Sequence, residues 1–224
     1  MKTYVISVGG SAIVPDKIDI NFLKQLKSTI AKISKNNKIV IVCGGGRVAR
    51  EYISAAKQFG VSDSLSCLAG IQSTKLNAAL VSLIVHGNPF IPNSLKEVKN
   101  VLSKRNVAVI GALGYQPNMT SDGDAAQAAN YLNAEMFINV TDVDGLFDKN
   151  PKEHKDAKFI PKISFNDFWK IASKIKFKAG QHFVLDQSGA KVIKQNRIKT
   201  VIVKGMNNLE AVILGKKFKG TVIN

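Results

Sequence analysis

Short runs of apolar, often β-branched residues alternate along the chain with longer segments whose apolar positions recur every three or four residues. The short runs predict strands at residues 4–8, 38–43, 107–111, 135–141 and 199–204, with 221–223 as an added edge. Four of the first five are nearly continuous in apolar residues, the pattern of strands covered on both faces. The longer segments predict helices at 22–34, 47–59, 64–85, 94–104, 124–132, 165–175 and 183–195. In the first of these Phe22, Leu26, Ile30 and Ile33 share one face. Ser94 with Glu97 forms a capping box, and Asn207 with Glu210 resembles one that opens a last helix. Strand-then-helix alternation of this kind predicts an α/β protein with an open, mainly parallel sheet sandwiched between helices. The most loop-like region, 142–161, does not change the composition on its two sides. A single domain over 1–224 is therefore expected, with one functional half at about 1–140 and the other at about 141–224.

Composition changes this picture little and charge adds one question. The 224 residues are 45% apolar and 21% charged, with a mean hydropathy of +0.02, as in ordinary globular proteins. Cys43 and Cys67 are too few for a disulfide framework and lack metal-ligand spacing, so a reducing, cytoplasmic setting is expected. The N-terminal MKTYVISVGG has no signal-peptide core, and no run approaches 18 consecutive apolar residues, so no membrane span is expected. The net charge is +16, yet only Arg47, Arg50, Arg105 and Arg197 among the 32 basic residues are arginine. Nucleic-acid interfaces favour arginine interleaved with aromatic residues, and here the lysines are scattered, with one dense stretch over 149–178. A lysine-rich solvated surface is the expectation, with attraction of small polyanions as its functional counterpart; a nucleic-acid partner is not expected.

Three glycine-containing turns each follow a predicted strand: Gly9-Gly10-Ser11, Gly44-Gly45-Gly46, and the segment from Gly111 that ends in Thr120-Ser121-Asp122. Glycine lets backbone N–H groups approach a ligand closely, and helix N-termini add unpaired donors and the positive end of a dipole. In a parallel sheet these turns lie along one edge, where they can cradle a polyphosphate or two phosphorylated molecules end to end. A fourth turn, Thr141-Asp142-Val143-Asp144-Gly145, follows the next strand. The chain has no GxxxxGK[ST] loop, no GxGxxG after a strand and no protein-kinase signature set. His86, His154 and His182 share no evident partners, and no metal cluster is visible. Asp122-Gly123-Asp124 brings two carboxylates to a predicted helix N-terminus, which suits either helix capping or a role in Mg²⁺ handling or selectivity.

VGGS at 8–11, CGGGRVAREY at 43–52, GIQSTKLNA at 70–78, TDVDGLFDKNP at 141–151, KAG at 178–180 and LDQSGAKVI at 185–193 resemble the amino-acid kinase superfamily. The likeness is collinear over nearly the whole chain and is greatest to the archaeal type of UMP kinase. It implies ATP-dependent phosphoryl transfer to UMP, giving UDP and ADP in pyrimidine nucleotide biosynthesis, with Mg²⁺ accompanying ATP. It also implies a homo-oligomer, commonly a hexamer. By the same resemblance Ser7, Gly9, Gly10, Ser11, Gly46, Arg50, Thr141, Phe147 and Asn150 would bind ATP. Gly45, Cys67, Tyr115, Gln116, Pro117, Asn118, Met119, Thr120 and Ser121 would bind UMP. Asp144, Ser11 and Arg50 would act in catalysis, Asp144 by orienting a cation that is either Mg²⁺ or a lysine such as Lys204. The acceptor would be a phosphate already mostly dianionic at neutral pH, so no general base is required, and catalysis reduces to positioning and charge neutralisation. The chain departs from the family pattern at Ser7, in place of a lysine, and at Cys67, in place of an aspartate that contacts UMP. Phe147 and Asn150 stand for the usual tyrosine and aspartate. The alternatives are another small-molecule kinase of the superfamily, or a non-catalytic relative that binds ATP or an oxyanion. Isopentenyl phosphate as acceptor is disfavoured because no histidine precedes His86.

Overall fold

The computed structural model describes residues 1–116, 119–151, 153–174 and 185–224. Its elements run β1 (Lys2–Val8), α1 (Gly10–Ile13), α2 (Ile20–Ile33), β2 (Asn37–Cys43), α3 (Gly46–Gln58), α4 (Asp63–Ile84), α5 (Leu95–Lys104), β3 (Val107–Ile110) and α6 (Ser121–Tyr131). They continue with β4 (Met136–Thr141), β5 (Leu146–Phe147), β6 (Phe159–Ile160), β7 (Lys162–Ile163), α7 (Phe165–Ala172), α8 (Gln187–Asn196), β8 (Thr200–Lys204), α9 (Gly205–Ile213) and β9 (Gly220–Ile223).

Among the described residues one sheet has the strand order β3-β2-β1-β4-β8-β9-β7, and β5 and β6 form a separate antiparallel pair. β1, β2, β3, β4 and β8 run parallel, β9 is antiparallel to β8, and β7 is parallel to β9. The expected mainly parallel sheet between helices is what forms. Strand alternation divides the core into two layers. Tyr4, Ile6 and Val8 of β1 face the side of Leu26 and Ile30 of α2, Ala78 and Val81 of α4, and Leu209 of α9. Val5 faces the opposite side, with Val98 of α5, Ala125 and Ala129 of α6, Phe168 of α7 and Ile193 of α8. Each fully buried Leu, Ile or Phe in these layers contributes about 1.5–3 kcal/mol. Alternation also places Ser7, fully buried, on the α6–α8 side, which decides its partner.

The structure corrects several boundaries. Residues 220–223 are not an edge: β9 lies between β8 and β7, and the two-residue β7 is the edge. The stretch 142–161 is not all loop, because Leu146 and Phe147 pair with Ile160 and Phe159. The last helix starts at Gly205, ahead of the capping box read at Asn207, because Gly205 adopts φ +74 directly after β8. α6 begins three residues before the expected start, since the Thr120 hydroxyl caps it by accepting from Asp122 N at 3.2 Å. α7 ends at Ala172 rather than at 175, and residues 175 and 183–184 of the expected helices lie outside the described residues, as do Lys178 and His182. α1 and the short strands were not legible from periodicity, being too short to show any.

Candidate active site

The chain passes from β1 outward through β2 to β3, then returns to place β4 on the other side of β1. The strand order therefore reverses between β1 and β4, and the crevice at the carboxyl ends of these strands is where ligands bind in open α/β sheets. The first two glycine turns interlock there. A Cβ on Gly10 would overlap Gly46 N and stand 2.5 Å from the Gly44 carbonyl, all backbone atoms that cannot yield. Gly46 adopts φ +64, and a Cβ on it would stand 2.5 Å from the Gly10 carbonyl oxygen. The two turns can meet this closely only as glycine. A Cβ on Gly44 would come within 3.4 Å of Ser121 Oγ, so the first turn of α6 joins the same contact.

Around this junction the side chains are already engaged with one another. Arg50, on the second turn of α3, donates from Nη1 to Ser11 Oγ at 3.3 Å, with both residues exposed. Ser7 Oγ donates to Asp122 Oδ1 at 2.5 Å. Burial raises the Asp122 carboxyl from 3.8 to about 7; the Ser7 hydrogen bond opposes this and the charge of Asp186 adds to it. Asp124, only 2% exposed, is raised to about 7 chiefly by burial, with the Leu113 N–H bond opposing and Asp186 adding. Its Oδ1 has no hydrogen-bond partner. Asp186 caps α8 by accepting from Gly189 N at 2.6 Å. Its other oxygen accepts from Thr120 N at 3.1 Å, Thr120 Oγ1 at 2.5 Å and Gly123 N at 3.1 Å. One buried carboxylate thus holds the N-termini of α6 and α8 together.

The segment read as the acceptor loop starts at Gly111 and ends at the α6 cap. Tyr115 is exposed, Gln116 exchanges two amide hydrogen bonds with Gln127 (3.2 and 2.9 Å), and Met119 N donates to Gln116 O at 3.2 Å. Pro117 and Asn118 lie outside the described residues. Gly45 packs against α4, where a Cβ would meet Gly70 O at 3.3 Å. Cys67 is half-buried on α4, one turn before Gly70.

On the other side of the crevice, Thr141 ends β4 and the following turn is stapled to β9. Thr221 Oγ1 accepts from Leu146 N at 2.8 Å and donates to Ile160 O at 2.6 Å. Gly145, at φ +149, leaves only 2.6 Å between a Cβ and that oxygen. Asp144 pairs with Lys219 at 2.5 Å, so the lysine beside it is Lys219 and not Lys204. The antiparallel direction of β9 explains this, because its first residue, Gly220, lies opposite Val203 near the carboxyl end of β8. Phe147 packs on Phe159 with ring centroids 5.4 Å apart, and Asn150 Nδ2 donates to Glu153 Oε1 at 2.8 Å, on the outer part of this segment.

Gly9 to Ser11, Gly44 to Gly46, Arg50 and Thr120 to Asp122 are thus brought together at the junction; Thr141 ends the neighbouring strand β4, and Asp144 and Phe147 follow it in the turn and in β5. Sequence reasoning missed Asp186 and Lys219 as site residues. The pattern Asp186-x-x-Gly189 ahead of a helix signals a cap, though nothing local shows that the cap also holds α6.

A doubly covered parallel sheet with interlocked glycine turns at its switch point is an arrangement suited to holding phosphate-bearing small molecules. Residues 2–204 match the amino acid kinase family, and the chain belongs to it. The chain is 37% identical over 223 residues to the uridylate kinase of Thermococcus kodakarensis, and 35% identical to that of Thermococcus sibiricus, in each case covering 98% of both chains. The crystal structure of the uridylate kinase from Archaeoglobus fulgidus superposes with a TM-score of 0.88 at 31% identity, covering both chains completely. The UMP kinase from Ureaplasma parvum shares the fold, with a TM-score of 0.82 at 23% identity over all of this chain and 98% of its own.

Proposed function

We propose that this chain transfers the γ-phosphoryl group of Mg–ATP to UMP, giving ADP and UDP, as a step of pyrimidine nucleotide biosynthesis. The observation that carries the reading is the backbone junction of Gly10, Gly44 and Gly46 with Ser121 beside it: two phosphate cradles that share a wall. A donor phosphate held by the first two turns and an acceptor phosphate held by the 111–121 loop then meet end to end.

The acceptor phosphate is its own nucleophile, so the chain supplies position and charge. Gly9, Gly10, Ser11 and Gly46 present amide and hydroxyl donors to the transferring group. Arg50, steered by Ser11, adds a guanidinium that neutralises charge developing on it. Ser7, expected to bind ATP, also donates its hydroxyl to Asp122 in the chain alone, which ties β1 to the N-terminus of α6. Thr141, Phe147 and Asn150 border the adenosine end, and Asp144 holds Lys219 there as a second cation. Gly45, Cys67, Tyr115 to Gln116 and Met119 to Ser121 receive UMP. Mg²⁺ is expected to enter with ATP, as part of the Mg–ATP substrate.

The two functional halves, about 1–140 for the acceptor and 141–224 for ATP, belong to this proposal, as do a cytoplasmic setting and a homo-oligomer, of which a hexamer is the expected form. Self-association is supported by the outer faces of α3 and α4. Tyr52, Leu65, Leu76 and Leu83 are each at least 60% exposed there, and α4 carries only Asp63 and Lys75 as charged residues. α4 is long and apolar enough to cross a membrane by composition, but its inner face packs on β2 and β3 and hydrogen-bonds their turns.

ADP release from Mg–ATP, measured with UMP, CMP, dUMP, GMP and isopentenyl phosphate in parallel, tests the reading. UMP should give the highest kcat/KM. Turnover with a different acceptor would move the substrate, and ATP binding without turnover on any would replace the reading with a non-catalytic one.

A further inference from the structure

In-line transfer requires the two cradles to keep a fixed separation, yet the sheet alone does not hold the acceptor loop. The β2–β3 ladder ends at Val42 opposite Ile110, one residue before Gly111, and β3 is a four-residue strand at the sheet's edge. What continues the connection beyond the ladder is α4. Thr74 and Asn77, three residues apart and so on one helix face, are 7% and 4% exposed. Thr74 Oγ1 accepts from Ala112 N at 2.7 Å while donating to Ile71 O at 2.7 Å. Asn77 Nδ2 donates to Gly44 O at 2.8 Å and Gly45 O at 3.3 Å. Thr74 also reaches the second turn, because a Cβ on Gly45 would meet its Cγ2 at 3.5 Å. Gly111 lies so close to the helix that a Cβ there would stand 2.6 Å from Thr74 Oγ1 and 2.7 Å from Lys75 N. One threonine therefore contacts both turns: its methyl faces Gly45 and its hydroxyl holds Ala112.

We infer that Thr74, seconded by Asn77, is a positioning residue that sets the distance between the Gly44-Gly45-Gly46 turn, where the two phosphates meet, and the acceptor loop. The inference rests on the reading of 111–121 as the acceptor loop. Removing the hydroxyl leaves the buried Ala112 N–H without a partner and frees the start of that loop, while Gly10, Gly44 and Gly46 keep their own backbone contacts. The consequence is selective. The acceptor is misplaced and the donor is not, and a displacement of about 1 Å at the reacting atoms costs on the order of 100-fold in rate.

The test compares Thr74→Val, which keeps the methyl group and puts a second methyl in place of the hydroxyl, with Thr74→Ser, which keeps the hydroxyl and loses the methyl. Thr74→Val should lower kcat/KM for UMP by about tenfold or more while KM for ATP changes less than about twofold. Thr74→Ser should restore most of the loss. Unchanged UMP kinetics in Thr74→Val, an equal loss toward both nucleotides, or a Thr74→Ser variant as impaired as Thr74→Val would each overturn the inference. Amide hydrogen exchange of the wild type needs no variant to fold: Ala112 N–H should be protected before any nucleotide is added, and rapid exchange there would also overturn it. If the wild type fails to phosphorylate UMP at all, the functional reading falls, and the exchange experiment still decides the clamp.

Discussion

Asp124 offers a test of the electrostatics of the α6 N-terminus that does not depend on the reaction. Its carboxyl is buried, accepts from Leu113 N–H on one oxygen, and has no hydrogen-bond partner on the other. Burial and the neighbouring Asp186 move it from 3.8 to about 7 in the folded protein. A carboxyl raised in this way binds its proton more tightly folded than unfolded. The stability it contributes is fully present below pH 3.8 and is lost as pH rises to about 7. At about 1.4 kcal/mol for each tenfold in proton affinity, the complete loss is about 4 kcal/mol. Roughly 3 kcal/mol of it falls between pH 5 and pH 8. An Asp124→Asn variant keeps the acceptor for Leu113 and cannot ionise, so it escapes that loss. For a chain of this length 1 kcal/mol corresponds to about 2–4 °C, so the gap in Tm between variant and wild type should widen by roughly 6–12 °C from pH 5 to pH 8. Calorimetric or fluorescence melts at the two pH values measure it, and taking the difference removes any pH-independent effect of the amide. A gap that stays constant within about 1 °C would refute the account of this carboxyl.

Two further outcomes bear on the site itself. Gly10→Ala places a methyl group against the backbone of Gly44 and Gly46, so turnover should fall at least about 100-fold with an unchanged circular-dichroism spectrum; retained activity would show that the two turns need not meet. Cys67→Asp supplies an acceptor where a thiol is a weak one, and should lower KM for UMP with KM for ATP unchanged; no change would mean that Cys67 does not face the nucleotide.

What could be read from the sequence follows the range of the forces involved. β1, β2 and β4 are written as continuous apolar runs because both faces of a central parallel strand are covered, and their positions were legible to within one or two residues at each end. The glycine turns were legible as places where backbone must come close, although only the fold shows that Gly10 meets Gly44 and Gly46 across 34 or more residues. Asp186 and Thr120 are joined over 66 residues, and no local pattern encodes that bond. Lys219 reaches Asp144 because β9 inserts antiparallel beside β8, a pairing that a four-residue run does not specify. α3 shows the opposite failure: it is strongly amphipathic in sequence, yet none of its residues is fully buried in the single chain.

The central claim is that phosphate passes from ATP to the phosphate of UMP across the glycine junction. Phosphorus NMR of a mixture of the protein, Mg–ATP and UMP follows it most directly. The account predicts that the UMP resonance is replaced by the paired resonances of UDP, one for each ATP converted to ADP. ATP loss with free phosphate as the product, or no loss of ATP while UMP persists, would contradict it.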